Sequence, residues 1–187
     1  MGTTDTLQML KHTDDEISSF LKNLSEQKPG KKYNLILLAG KNKSAKNDFI
    51  RKVKKQAGDQ FIEIDLRQVI STIVEESKEK IDEMIKSTGT GKYVLLQNGD
   101  QLGGVYTGYS YSVRRYATPQ ERYLLKGISE TDHAFFLDLD DIHTVNSLMK
   151  RHAQTLITFE YPSSLLGRLK QITVHGHTFA SNRRARI

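Results

Sequence analysis

The chain has 187 residues and a formal net charge of +6; it is 37% hydrophobic and contains no cysteine. This length suits one domain with a sizeable core, and the lack of cysteine excludes a disulfide framework or a thiolate zinc site. A membrane-spanning helix needs about 18 consecutive apolar residues, and no apolar run in the chain approaches that length. The start of the chain also lacks the pattern of a secretory signal. We therefore expect a cytoplasmic protein without a metal centre.

The first predicted element is a helix near the N-terminus. Thr13 and Glu16 have the spacing of a capping box, in which each side chain bonds the other residue's backbone N–H. Four apolar residues then fall on one helical face: Ile17, Phe20, Leu21 and Leu24. A Pro-Gly pair at 29–30 ends the unit. We predict an N-terminal helical appendage over residues 1–30.

Strands and helices then alternate. Short apolar runs predict strands at 33–39, 61–65, 93–97, 133–138 and 155–159. Helical patterns fill 46–56, 68–87, 119–127, 144–152 and 163–171. This alternation predicts a three-layer α/β core over 31–172, with helices on both faces of a parallel sheet. Residues 173–187 form a basic tail.

A frame similar to a phosphate-binding loop follows the first strand of this core. Residues 40–47 read GKNKSAKN, whereas a P-loop reads G-x-x-x-x-G-K-[ST]. Gly40 and Lys46 are in register, but Ala45 replaces the second glycine and Asn47 replaces the Mg²⁺-binding hydroxyl. The Cβ of Ala45 narrows the approach of a phosphate. The alternative interpretation is a plain strand-to-helix turn with solvated lysines.

Later segments extend the similarity. FIEID at 61–65, EESKEK at 75–80 and QNGD at 97–100 follow in order, and HAFFLD at 133–138, SLMKR at 147–151 and TLITFEYP at 155–162 come after them. This ordered set resembles the core of an AAA+ ATPase over residues 33–162. The resemblance implies a P-loop NTPase-like fold. A full helical lid is not expected, because only about 25 residues follow Pro162.

The resemblance implies that the ATPase chemistry has been lost. Gln97 and Asn98 stand at the two Walker B positions, where the family has acids, and an amide neither takes a proton at neutral pH nor binds Mg²⁺ well. The sensor position falls near Leu139, among three aspartates that would repel a phosphate. The nucleotide-binding positions implied by the family are Gly40, Ser44, Ala45, Lys46 and Asn47. We expect either no cofactor or weakly bound ATP or ADP.

A tyrosine-rich segment at 103–117 is the candidate interaction surface. Tyrosine and arginine are enriched at interface hot spots and also stack on single-stranded nucleic acid. The candidate interface residues are Tyr106, Tyr109, Tyr111, Arg114 and Arg115, together with Arg151 at a position similar to an arginine finger. A local loop or hairpin is the alternative interpretation of this segment.

These observations together indicate a degenerate AAA+-like domain that binds or assembles with a protein partner or a second copy of itself. One alternative is a weak but genuine AAA+ ATPase. Another is a basic P-loop-like protein that binds nucleic acid through its lysine-rich and arginine-rich patches.

Overall fold

The computed structural model describes residues 7–25, 34–89, 93–103 and 117–161. Six strands cross these ranges: β1 (Gln8–Lys11), β2 (Leu35–Ala39), β3 (Phe61–Asp65), β4 (Tyr93–Gln97), β5 (Ala134–Leu139) and β6 (Thr155–Thr158). The helices are α1 (Glu16–Ser25), α2 (Lys43–Ala57), α3 (Leu66–Val69), α4 (Val74–Ser87), α5 (Pro119–Ser129) and α6 (Ser147–His152). Short 3₁₀ turns span Gly58–Gln60, Gly99–Gly103 and Ile142–Thr144.

All six strands form one parallel sheet in the order β1-β6-β2-β5-β4-β3. The predicted α/β fold class, with a parallel sheet flanked by helices, is confirmed. Strand β2 lies inside the sheet, and all five of its residues are fully buried. That burial explains why its sequence, LILLA, is a continuous apolar run rather than an alternating one.

Two hydrophobic cores lie on opposite faces of the sheet. On one face, Ile36 and Leu38 of β2 pack with residues of α1 and α2, such as Phe20 and Phe49. On the other face, Leu35 and Leu37 pack with residues of α3, α4, α5 and α6. The three layers therefore follow from the alternation of side chains along each strand.

The N-terminal segment contains a strand that the residue pattern did not predict. Residues 8–11 pair in parallel with β6, and Leu10 is buried in the core shared with α1. The helix that the capping-box pattern indicated begins at Glu16. Within the described residues 7–25, the segment thus adds an edge strand and a helix to the same sheet and core.

The single helix expected over 68–87 is divided into α3 and α4. The sequence from Val69 to Val74 is rich in β-branched residues, which lose side-chain freedom in a helix. Ser71 instead takes part in side-chain bonds: its N–H donates to Ser77 Oγ at 2.8 Å, and its hydroxyl donates to Glu76 at 2.8 Å. These contacts hold the break between the two helices.

The predicted helix at 163–171 and the basic tail lie outside the described residues. Within the part of the chain that the structure describes, none of the helices has the length and apolar content to cross a bilayer.

Candidate functional site

The candidate site lies where the carboxyl ends of β2 and β5 meet. These strands are neighbours in the sheet, with Ala39 opposite Leu139. The chain leaves β2 toward the face that carries α2, and it leaves β5 toward the face that carries α6. Such a reversal opens a crevice between adjacent strands, and open α/β sheets bind ligands at that place.

Gly40 begins the loop after β2 and has a backbone φ of 137°. A Cβ at this position would lie 2.2 Å from the carbonyl oxygen of Phe159, so a side chain does not fit. The N–H of Gly40 donates to Leu139 O at 3.2 Å. The glycine in register with a P-loop is therefore required here by the close approach of Phe159, the residue that follows β6, and its N–H is used inside the protein.

The loop between β2 and α2 consists of only three residues, Gly40 to Asn42, because α2 already begins at Lys43. Asn42 is buried and is the N-cap of this helix, accepting a hydrogen bond from Ala45 N at 3.2 Å. Its own N–H donates to Phe159 O at 3.0 Å. A P-loop binds phosphates with free backbone N–H groups, whereas these donors are occupied by the chain.

Lys46 is buried, although lysine is almost never buried without a partner. Its ammonium donates to Leu139 O at 2.8 Å and lies 2.5 Å from Asp138 Oδ1. Asp140 Oδ1 is 4.0 Å away. The lysine that a P-loop directs at a phosphate is thus paired with a carboxylate at the end of β5.

Two further pairs cross the crevice. Lys41 contacts Asp141 at 3.2 Å, and Lys43 contacts Asp140 at 3.3 Å. Both lysine side chains are more than two-thirds exposed, so these pairs contribute little stability. Together with the pair of Lys46 and Asp138, they neutralise the charges of three lysines after β2 with those of three aspartates at and just after the end of β5.

The carboxyl groups of this cluster differ in their environments. Burial raises the pKa of Asp138 above its ordinary value, and the nearby Lys46 ammonium opposes that shift. The pKa of Asp141 is lowered, mainly because its carboxylate accepts the backbone N–H of His143. The Lys46 ammonium therefore favours the charged form of Asp138 against the effect of burial on its pKa.

The other three residues implied as nucleotide-binding lie in the first turns of α2. Ser44 and Asn47 are exposed, and Ala45 is half-buried against the core below α2. Because the helix starts at Lys43, these residues have helical backbone rather than that of a loop wrapped round a phosphate. Of the five residues implied as nucleotide-binding, the crevice brings together Gly40 and Lys46.

Strand β4 ends at Gln97, and Asn98 follows it. Both side chains donate hydrogen bonds to acids of the neighbouring strand β3. Gln97 Nε2 donates to Glu63 at 3.0 Å, and Asn98 Nδ2 donates to Asp65 at 2.8 Å. Asn98 has a positive φ of 60°, which asparagine tolerates better than most residues. Arg67 hydrogen-bonds Asp65 through its side chain and backbone, and these bonds hold the Asp65 pKa well below its usual range. The two amides thus join strands at the edge of the sheet.

Asp100 and Gly99 connect the end of β4 to the crevice. Asp100 Oδ2 accepts the N–H of Asp140 at 2.7 Å. A Cβ on Gly99 would lie 2.7 Å from Asp138 O, so this glycine allows β5 to approach closely. Asp100 therefore fixes the start of the loop after β5 and adds negative charge near Asp138.

Of the predicted interface residues, the structure describes Arg151 and does not describe the other five. Arg151 is exposed near the end of α6. Because α6 leads back to the start of β6, Arg151 lies on the side of the amino ends of the strands, whereas the crevice lies at their carboxyl ends. Tyr106, Tyr109, Tyr111, Arg114 and Arg115 lie outside the described residues. Their role at an interface stays a prediction.

Several lysines of the basic helix α2 are already paired. Lys54 contacts Glu63 at 2.6 Å, and Arg51 contacts Asp48 at 3.2 Å, in addition to the pairs of Lys43 and Lys46 described above. The positive charge counted from the sequence of this helix is therefore partly neutralised by neighbouring acids. This leaves fewer free cations for a nucleic-acid backbone than the sequence indicated.

These features define a parallel α/β protein with a lysine-containing crevice at its strand ends. No protein-family model and no curated protein matches the chain. Among solved structures it is similar to a chain of an E. coli MS115-1 HORMA:CdnC:Trip13 complex, with a TM-score of 0.54 and 14% identity over 80% of this chain. A structure of Rhizobiales Trip13 matches with a TM-score of 0.46 and 14% identity over 82% of this chain.

The chain spans 63% of the length of each of these matched chains. The comparison shows the fold alone: a parallel sheet flanked by helices, similar to that of the matched chain from the E. coli complex. The resemblance to an AAA+ core beyond this fold stays a prediction. At 14% identity the comparison does not extend to motifs. The assignment of Gln97 and Asn98 to Walker B positions remains a prediction.

Proposed function

We propose that this chain is an AAA+-like domain that does not hydrolyse ATP and acts as a binding or assembly module in a larger protein complex. The contact between Lys46 and Asp138 carries the proposal. The lysine of a P-loop neutralises nucleotide phosphates. Here an aspartate of the same chain, 2.5 Å away, supplies the negative charge instead.

Binding of a nucleotide would have to separate this pair. Leaving one partner of a fully buried ion pair alone costs about 3 to 5 kcal/mol. Asp138 is 24% exposed, so we expect about 2 to 3 kcal/mol here, which lowers affinity by about thirtyfold or more. Asp138 and Asp140 would also face the incoming phosphates. The residues of the crevice therefore do not fit a nucleoside triphosphate, and we expect weak binding of ATP or ADP at most.

Hydrolysis would lack a base as well. Gln97 and Asn98 cannot accept a proton at neutral pH, and their amides are bonded to Glu63 and Asp65. General-base assistance is worth about 10²- to 10⁴-fold in rate. These contacts support a structural use of the two amides.

A module without chemistry acts through its surface. The matched E. coli chain comes from a complex of several proteins, and this supports assembly as the proposed role of the present chain. The candidate contacts are Arg151 and the tyrosine-rich segment at 103–117. Tyrosines offer large contact areas at low cost in side-chain entropy.

The loss of catalysis is tested by ATP turnover and by titration calorimetry with Mg²⁺ and ATP. We expect no turnover above buffer, with Lys46→Ala and the exposed-site control Lys52→Ala indistinguishable from the unmodified protein. Magnesium-dependent turnover that Lys46→Ala abolishes and Lys52→Ala preserves would establish a genuine ATPase. Salt-sensitive retention of DNA or RNA would instead favour the basic nucleic-acid-binding alternative.

The assembly role is tested by sedimentation and by co-purification from native cells. We expect the double variant Tyr109→Ala with Tyr111→Ala, and separately Arg151→Ala, to weaken association while thermal unfolding is unchanged. Lys52→Ala serves as the matched surface control. If all variants retain the same mass and the same companions, neither surface is the contact.

A further inference from the structure

A groove lies beside the edge strand β1, at the carboxyl ends of β1 and β6. Its volume is about 620 Å³, and its lining includes Met9, Ile142, Thr158 and Tyr161. We call it the edge groove. Among the described residues, three large hydrophobic side chains are exposed, and two of them, Met9 at 64% and Tyr161 at 55%, line this groove.

The groove exists because one face of β1 is uncovered. Leu10 points into the core that α1 and α2 cover. Met9 and Lys11 alternate with it and therefore point to the other face, opposite Leu156 and Thr158 of β6. Strands of parallel sheets are ordinarily covered on both faces. An exposed methionine on a parallel edge strand therefore indicates a face that another segment covers.

The described chain ends at Tyr161, inside the groove, and residues 162–187 follow directly. The sequence places Leu165, Leu166, Leu169 and Ile172 at i, i+1, i+4 and i+7, which is one face of a helix. Ten helical residues, 163–172, extend about 15 Å. The four residues of β1 extend about 13 Å, so such a helix matches the strand in length.

We propose that residues 163–172 form an amphipathic helix that packs its leucines into the edge groove and covers the open face of β1. Pro162 and two serines precede the apolar positions, and these residue types suit a helix start. No linker is needed, because the segment begins where the groove is. The inference concerns the chain's own packing and does not depend on the proposed function.

Cross-linking tests the inference directly, because the chain has no cysteine of its own. Met9→Cys is combined in the full chain with Leu165→Cys, Leu166→Cys or Leu169→Cys, and the matched control combines it with Gln171→Cys on the polar face. After mild oxidation at low protein concentration, we expect an intramolecular disulfide for at least one apolar position and little for the control. Mass spectrometry of peptides identifies the bond.

The remaining outcomes overturn the inference. Disulfide-linked dimers would mean that a second copy occupies the groove, and no bond at any apolar position would mean that the segment lies elsewhere. Equal bonding of the apolar and control positions would mean that the segment does not dock. As a second measurement, Leu165→Asp with Leu169→Asp is expected to lower the unfolding midpoint by at least about 4 °C, whereas Gln171→Asp leaves it unchanged. An unchanged midpoint in the leucine variant also contradicts the inference.

Discussion

Lys46 Nζ lies 2.5 Å from Asp138 Oδ1, and this ion pair joins the first turn of α2 to the end of β5. The lysine comes from the frame that resembles a P-loop, and the aspartate precedes Leu139, the position predicted to match the sensor residue of the family. Each was visible in the sequence as a separate feature. Their contact links the start of helix α2 to the end of strand β5.

The first prediction concerns the energy of this pair. Lys46→Met leaves Asp138, whose side chain is 24% exposed, without its cation, and we expect a loss of about 2 to 3 kcal/mol in the free energy of unfolding. The double variant Lys46→Met with Asp138→Leu should recover most of that loss, because it removes both charges. Lys52→Met, at an exposed position of the same helix, should change stability by less than about 0.5 kcal/mol. Urea unfolding of the four proteins, together with the single variant Asp138→Leu, measures the coupling, and a double variant that loses as much stability as the two single variants summed would contradict a direct pair.

The second prediction concerns the end of β4. Gln97→Asp with Asn98→Glu restores the acids of the AAA+ pattern, but it places carboxylates beside Glu63 and Asp65 and removes two hydrogen-bond donors. We expect a destabilised protein, by about 1 to 3 kcal/mol, with no gain in ATP turnover. The destabilisation should shrink on acidification as the carboxylates are protonated. A stable variant that hydrolyses ATP would show that only these two residues separate the chain from an active enzyme.

The third prediction concerns Gly40. Its Cβ would lie 2.2 Å from Phe159 O, and its φ of 137° is unfavourable for other residues. We expect Gly40→Ala to destabilise the fold severely, by about 3 kcal/mol or more. Gly103→Ala is the control, because no atom lies within 4 Å of a Cβ there. Thermal unfolding and the yield of folded protein distinguish the two, and similar behaviour of both variants would refute the steric argument.

The fourth prediction concerns Glu121, which is fully buried in α5. Its Oε1 accepts Asn146 Nδ2 at 2.7 Å, while Oε2 is buried without a hydrogen-bond partner. Burial raises its pKa above the ordinary value of 4.5. A raised pKa in the folded protein means that this group contributes stability below pH 4.5, and that the contribution is lost as pH rises through the folded-state pKa.

Glu121→Gln keeps an acceptor for Asn146 and removes the buried charge. We therefore expect the variant to be more stable than the unmodified protein at pH 7, by about 1 kcal/mol, and the difference to disappear near pH 4. The exposed Glu130→Gln serves as control and should show no such trend. Unfolding measured across this pH range decides the matter, and a variant that is less stable at pH 7 would mean that the carboxylate is needed in its charged form.

The sequence by itself determined the fold class and most of the strands. The runs at 61–65 and 93–97 are observed with the predicted bounds, because short apolar segments between turn signals have few other ways to be buried. It also identified Gly40 and Lys46 as the two residues in register with the pattern of a P-loop. These conclusions rest on local patterns, which the chain carries in consecutive residues.

The tertiary structure decided what those positions contact. The strand β1 has only one buried residue, Leu10, and it is held by pairing with β6, almost 150 residues away in the chain. Lys46 and Asp138 meet because β2 and β5 are neighbours in the sheet, and Gly40 is required because the backbone of Phe159, just after β6, lies against it. Such contacts depend on strand order, and no local pattern of residues encodes which partner a charged side chain finds across a sheet.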